Sequence, residues 1–263
     1  MPGTGEGEVI SRKDLPIFYV LDTSGSMSGE KIGMLNRAMD ETVEALKEVA
    51  AKNADARLRI AVLSFDSDFK WLNPHGLEDA EDFIWQELKP SGMTYLGKAL
   101  DELDGKLSKN AFMQNATGSF MPIIIFMTDG YPNDDWEAAF ERIQNNRWFT
   151  KALKLGFVLS EEATDRAVLD KLTGSSEAVI QTLNLEEFKK DIVLASVSAS
   201  LIQSRSRVDG DTKGENVIGD IKNKPAPAPG PDPAPDPNPD PAPAPDPDKK
   251  KEGSGGWDAG IFD

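Results

Sequence analysis

The chain has 263 residues, 39% of them hydrophobic, and a formal net charge of -16. That length allows one large domain or two small ones with a true core, and the acidic balance makes nucleic acid and an anionic membrane surface poor partners. Cysteine is absent, which excludes disulfide frameworks, thiolate metal sites and cysteine nucleophiles.

The opening stretch MPGTGEGEVISRKDLP holds no apolar segment of signal-peptide type. The first buried element is Ile17–Leu21, a continuous apolar, β-prone run of the kind found in strands covered on both faces. Ile32, Leu35, Met39, Val43, Leu46 and Val49 then recur three or four residues apart, one face of a helix. Leu58, Ile60 and Val62 alternate as in a strand, and FKWL after Asp66–Asp68 completes a hairpin. Leu96, Leu100, Leu103 and Leu107 mark a second amphipathic helix, Pro122–Met127 a second buried strand, and Asp134–Asn146 a third helix with acids at its start. MPIIIFM (Met121–Met127) is the longest apolar run and too short to span a bilayer, so a cytoplasmic protein with no membrane partner is expected.

A strand over Leu153–Leu159, a helix over Thr164–Leu172 and a short strand at Ala178–Gln181 follow. A closing helix runs from Glu186 to about Arg205, with Phe188, Val193, Val197 and Leu201 expected on its buried side. Strands alternating with helices predict an α/β, doubly wound, mostly parallel sheet with helices on both faces.

Beyond Val208 the composition changes. Twelve Asp and Glu stand there against six Lys, so six of the sixteen net negative charges belong to this tail. Proline takes every second position from Pro225 to Pro247, a repeat that builds no core and favours an extended form rising about 3.1 Å per residue. The expected organisation is an N-terminal arm (1–14), one domain (15–207), a linker (208–248, Pro-rich from 225) and a charged, Gly-rich end (249–263). That end closes on WDAGIFD. Trp257, Ile261 and Phe262 beside Asp258 and Asp263 read as a docking peptide, with aromatic anchors and acids that set register. It would dock in trans on a partner, or in cis with an acid capping the metal site described next.

In an open α/β sheet the ligand crevice lies beyond the carboxyl ends of the strands, where strand order reverses. Three polar clusters fall at such edges: Asp22-Thr23-Ser24-Gly25-Ser26, Ser91-Gly92-Met93-Thr94 and Thr128-Asp129-Gly130. Two carboxylates, three hydroxyls and no His or Cys make an all-oxygen set, suited to Mg²⁺ rather than Zn²⁺. Asp22 and Ser24 are also good residues for capping the helix that follows. Asp134 and Asp135 read as a helix cap, His75 as a loop residue, and Trp71, Trp85 and Trp148 as core or partly buried anchors; Trp136 stands close enough to Asp129 to border the metal face.

Asp22-x-Ser24-x-Ser26, followed by Thr94 and by Asp129-Gly130, resembles the metal-ion-dependent adhesion site of the von Willebrand factor A family, over roughly Leu15 to Arg207. More narrowly, FYVLDTSGSMSGEKI and TDGYPNDDW look like the bacterial TerY-like proteins of tellurite-resistance-type gene clusters, which often occur beside a protein phosphatase and a protein kinase. The resemblance implies that Ser24 and Ser26 hold a divalent cation (Mg²⁺, or Mn²⁺ or Ca²⁺) directly. Thr94, Asp22 and Asp129 would hold it directly or through water, and a partner's carboxylate would complete its shell.

The function expected is a metal-dependent protein-interaction module in a bacterial stress or signalling system, its partner offering an acidic residue and drawn from such phosphatases or kinases. An enzyme is the rival. His75 is the only imidazole and no G-x-S-x-G elbow is present, which argues against a serine hydrolase. The absence of a Walker loop and of a second carboxylate cluster argues against phosphoryl transfer. A third reading is a phosphorylated scaffold, with Ser196, Ser198, Ser200, Ser204 and Ser206 as acceptors; the simpler account puts those serines on the polar side of the last helix.

Overall fold

Ten consecutive residues, Lys13–Asp22, form strand β1, and from Asp14 onward every one is buried. Side chains alternate across a strand, so Leu15, Ile17, Tyr19 and Leu21 enter one apolar layer while Phe18 and Val20 enter the other. β1 is thus the central plank of a sheet covered on both sides, in a computed structural model that describes residues 12–114, 118–182, 184–205 and 217–219.

The other strands are β2 (Ala56–Phe65), β3 (Phe69–Trp71), β4 (Glu78–Asp79), β5 (Ile123–Thr128), β6 (Leu153–Val158) and β7 (Val179–Gln181). They lie in the order β3-β2-β1-β5-β6-β7, with β4 also on β2. β1, β2, β5, β6 and β7 run parallel, whereas β3 and β4 return antiparallel along β2. From β1 the chain winds first to one side and then, from β5, to the other, which puts the reversal between β1 and β5.

Helices α1 (Glu30–Lys52) and α6 (Leu185–Arg205) cover one face, through Leu35, Met39, Val43 and Leu46 on the first and Phe188, Ile192, Ala195 and Ala199 on the second. Helices α2 (Leu96–Lys106), α3 (Trp136–Ile143), α4 (Arg147–Lys151) and α5 (Ala163–Thr173) cover the opposite face, with Leu100, Leu103, Phe140, Phe149 and Leu169 among the residues they bury. This is the doubly wound α/β architecture the periodicities predict.

Three expectations need correction. First, α6 does not bury Val193, Val197 and Leu201, which are only half-buried. It buries Phe188, Ile192, Ala195, Ser196, Ala199, Ser200 and Ser204. Small residues let the helix lie close against the sheet, so volume decided the face rather than hydrophobicity. Ser196, Ser200 and Ser204 are therefore not on a polar side, whereas Ser198 is half-buried. Ser196 accepts a hydrogen bond from the Tyr19 hydroxyl at 2.9 Å, and Ser200 and Ser204 donate to the carbonyls of Val197 and Leu201. Buried and bonded, these three are closed to a kinase in the folded chain; Ser206 lies outside the described residues.

Second, Val217 and Ile218, within the expected linker, are buried in the α1/α6 layer, so the folded unit draws on residues beyond 207. Third, the expected arm ends early, because β1 begins at Lys13. The proline repeat and the peptide of Trp257, Asp258, Ile261, Phe262 and Asp263 lie outside the described residues.

One stretch carries no periodicity and is needed for the site. After β4 the chain crosses the α1 side of the sheet in irregular form, burying Ala80 and Phe83. It is pinned at Leu88, whose N–H donates to Asn36 Oδ1 (2.8 Å) and whose carbonyl accepts from Asn36 Nδ2 (3.0 Å). That crossing carries the chain back to the carboxyl edge and delivers Ser91–Thr94 to the crevice.

Candidate metal centre

Asp22 is the last residue of β1, paired with Phe65 of β2, and its side chain is fully buried. Its two oxygens are both engaged. Oδ1 accepts from the Ser24 N–H at 2.7 Å, and Oδ2 accepts from the hydroxyl of Thr128, the end of β5, at 2.6 Å. Neither Asp22 nor Ser24 caps α1, which begins at Glu30 behind Gly29 with no side-chain cap. Asp22 instead turns its own loop back on itself and ties β1 to β5.

From there a chain of oxygens runs across the crevice. Ser24 Oγ and Ser26 Oγ are 3.0 Å apart, and Ser26 Oγ donates to Asp129 Oδ1 at 2.7 Å. A hydroxyl has one proton, so Ser26 gives its own to Asp129 and receives that of Ser24. Lys31 Nζ closes the chain, 2.6 Å from Asp129 Oδ2. The order Thr128–Asp22–Ser24–Ser26–Asp129–Lys31 thus joins the β1–α1 and β5–α3 loops.

Thr94 reaches this assembly through its backbone. Its N–H donates to Asn133 Oδ1 (2.9 Å) and its carbonyl accepts from the Asn133 N–H (2.8 Å), so the loop before α2 is strapped to the loop after β5. Thr94 also lines one small cavity with Thr128 and Gly130. The other side of its loop is held by the β2–β3 turn. Tyr95 N–H donates to the Asp66 carbonyl (2.9 Å), Met93 N–H to Ser67 Oγ (2.8 Å), and Ser91 Oγ to Asp66. Gly92 has φ +64°, and a Cβ there would stand 2.5 Å from Ser67 Oγ; only glycine permits both the conformation and the close approach.

The neighbouring acids cap helices. Asp134 accepts from the N–H groups of Gly97 (3.0 Å) and Lys98 (3.1 Å) at the start of α2, and Asp135 accepts from Ala138 N–H at the start of α3. Trp136, expected to border the metal face, is buried among Phe140 and its neighbours with Lys171 Nζ 5.0 Å over its ring. Trp71 is buried, Trp85 and Trp148 are half-buried against the two layers, and His75 sits exposed in the β3–β4 turn.

The electrostatics of the crevice would suit a further cation. Burial pushes the Asp22 carboxyl up to about 6; the bonds from Thr128 and Ser24 oppose the rise and the charge of Asp129 adds to it. Two buried carboxylates with hydroxyls between them fit a hard divalent ion, which would relieve both the desolvation and the mutual repulsion. Among the described residues no group of three or more His, Cys, Asp and Glu forms a metal cluster. A cation here would depend on Ser24, Ser26 and Thr94 as well as Asp22 and Asp129.

Sequence reasoning named Thr128 only as a member of the Thr128-Asp129-Gly130 cluster, with no role of its own, and passed over Asn133 and Lys31. Thr128 and Asn133 carry no sequence mark beyond standing next to recognised residues. Lys31 carries one: a positive charge in the first turn of α1 opposes the helix dipole and so implies a nearby anion.

The sequence profile of the family described as von Willebrand factor type A domain matches residues 17–194. No curated protein matches the chain. Among solved structures, a von Willebrand factor type A protein from Catenulispora acidiphila is similar at 16% identity and a TM-score of 0.50, covering 71% of this chain and 43% of that one. Proximal thread matrix protein 1 from the mussel byssus is similar at 15% identity and 0.52, covering 72% and 48%. The PilB minor pilin from Streptococcus sanguinis is similar at 14% identity and 0.52, covering 74% and 63%. At these identities the likeness is one of fold, and the chain spans less than two thirds of each of these proteins. The matched profile runs from β1 into α6 and takes in the whole Asp22–Ser24–Ser26–Asp129 chain: the protein belongs to the von Willebrand factor type A domain family.

Proposed function

We propose that Asp22, Ser24, Ser26, Thr94 and Asp129 hold one divalent cation, Mg²⁺ before Mn²⁺ or Ca²⁺, and that the loaded site captures a carboxylate of a protein partner. The observation that carries this reading is the continuous hydrogen-bonded chain from Asp22 through Ser24 and Ser26 to Asp129, at the switch point between β1 and β5. The cation supplies a Lewis-acidic point that accepts one more oxygen ligand. The protein residues hold it: Asp22 is fixed by Thr128 and Ser24, Asp129 by Ser26 and Lys31, and the Thr94 loop by Asn133 and Asp66.

The surroundings suit docking rather than turnover. Met93 and Tyr131 are about half exposed, 50% and 52%, on the two loops that bring in Thr94 and Asp129. Large apolar side chains there favour a partner whose acid is flanked by apolar residues. No imidazole or thiol stands among the crevice residues to move a proton or attack a substrate. The narrower resemblance to TerY-like proteins makes a phosphatase or kinase of a cytoplasmic stress pathway the partner class to try first.

The test is a pulldown from the native lysate with the full chain in Mg²⁺, in EDTA and with Asp22→Ala. A specific partner is expected only in the first arm. Recovery of the same partner in all three contradicts metal-dependent docking, and turnover of a generic phosphomonoester with Mg²⁺ that Asp22→Ala abolishes replaces it with an enzyme.

A further inference from the structure

We propose that Lys31 is a tethered cation that competes with the divalent ion for Asp129, so that the chain's own lysine sets the affinity of the site. This rests on the metal-site reading above. Three observations carry it. Lys31 Nζ lies 2.6 Å from Asp129 Oδ2, and the Asp129 side chain is fully buried whereas 33% of the Lys31 side chain is exposed. The ammonium is therefore the solvent-side cover of a buried carboxylate.

The second observation is where the lysine sits. Lys31 is the second residue of α1, at the positive end of the helix dipole, where a cation is disfavoured. A lysine there carries a cost to the helix, and among the described residues its ion pair is with Asp129. The third is that both oxygens of Asp129 are engaged, Oδ1 by Ser26 and Oδ2 by Lys31. A divalent ion taking Oδ2 directly must move the ammonium, and one taking only Oδ1 stays beside it.

The charges then decide the sign. Asp22, Asp129 and Lys31 together carry one net negative charge. A divalent ion added with Lys31 in place leaves one net positive charge, and without Lys31 it leaves none. Like charges a few ångströms apart in a half-buried crevice repel strongly, so Lys31 disfavours the bare loaded site. The same surplus positive charge matches an incoming carboxylate. The lysine's flexible, partly exposed stem lets it swing into solvent without unfolding α1.

The test is Mg²⁺ titration calorimetry on the full chain and its Lys31→Met and Lys31→Arg variants, with thermal melts in EDTA. Lys31→Met should bind Mg²⁺ at least about ten-fold more tightly, the effect expected of removing one nearby like charge, and Lys31→Arg should stay within a few-fold of the parent. In EDTA, Lys31→Met should melt below the parent, because Asp129 loses its counter-charge, and the deficit should shrink in Mg²⁺. Weaker or unchanged Mg²⁺ binding by Lys31→Met overturns the proposal and makes the lysine a support of the loaded site. An EDTA melt unaffected by Lys31→Met overturns the ion pair itself. Mg²⁺ binding lost from every form, with the EDTA deficit present, overturns the metal-site reading and leaves Lys31 a structural counter-ion.

Discussion

Asp22 gathers the tension of the site into one side chain. It must be buried to stand at the end of a central strand, and burial raises its pKa to about 6, the Asp129 charge adding to the rise. The sign of the pH dependence follows. A raised carboxyl pKa means the folded state holds this proton more tightly than the unfolded chain does. The stability that proton lends is fully present below the ordinary carboxylate range and is lost as pH climbs through about 6. In EDTA, the melting temperature of the parent relative to Asp22→Asn should therefore fall between pH 5 and pH 7.5. Added Mg²⁺ should raise the parent more at pH 7.5 than at pH 5, because protons compete with the metal for the same oxygen. Melting curves at the two pH values check both; a parent–variant difference independent of pH would show that Asp22 is not strained by its burial.

At the scale of elements, the sequence was legible wherever a pattern repeated. Ile17–Leu21 and Pro122–Met127 are apolar without interruption because helices cover both faces of β1 and β5, and their edges mark the crevice. Asp22, Ser24, Ser26 and Asp129 could be found because they sit at those edges. The face of α6 could not be read this way: Val193, Val197 and Leu201 looked like its buried stripe, but Ala195, Ser196, Ala199 and Ser200 fit the space above the sheet. Close packing prefers the residue that fits to the one that is most apolar. The path from β4 to Thr94 was equally hidden, since Asn36 and Asp66 hold it by two hydrogen bonds each, with no period.

The Tyr19–Ser196 bond joins β1 to α6 across this layer. Tyr19 is fully buried, and its pKa is raised by that burial, with the Ser196 bond opposing. The stability it lends is present below the ordinary tyrosine range, near 10, and is lost as pH rises through and beyond it. Tyr19→Phe should cost about 1 kcal/mol at neutral pH, for a lost hydrogen bond and an unpaired Ser196 hydroxyl, while flattening the alkaline limb of the stability curve. Urea unfolding at pH 7 and pH 11 measures both; an unchanged alkaline limb would place the loss elsewhere.

For the molecule as a whole, the fold is a sheet with two apolar layers and a polar crevice above β1 and β5. The larger layer is completed from beyond the matched family segment, by Val217 and Ile218, which are 0% and 1% exposed. Fully burying such side chains stabilises by roughly 1.5–3 kcal/mol each, so a chain ending at Arg207 should be less stable by several kcal/mol than one ending at Lys224. Denaturant midpoints of the two truncations decide it, and equal midpoints would mean that these residues add nothing to the core.

The site stands at the ends of β1 and β5 and on the loops beyond them, at the edge of the apolar layers rather than within them, so its loss should leave the core intact. The most direct measurement is a Mg²⁺ titration by calorimetry of the full chain beside Asp22→Ala and Asp129→Ala, each checked for an unchanged far-UV spectrum. One saturable Mg²⁺ site in the parent, absent from both folded variants, is the expected result; binding of equal strength in all three would contradict the metal centre.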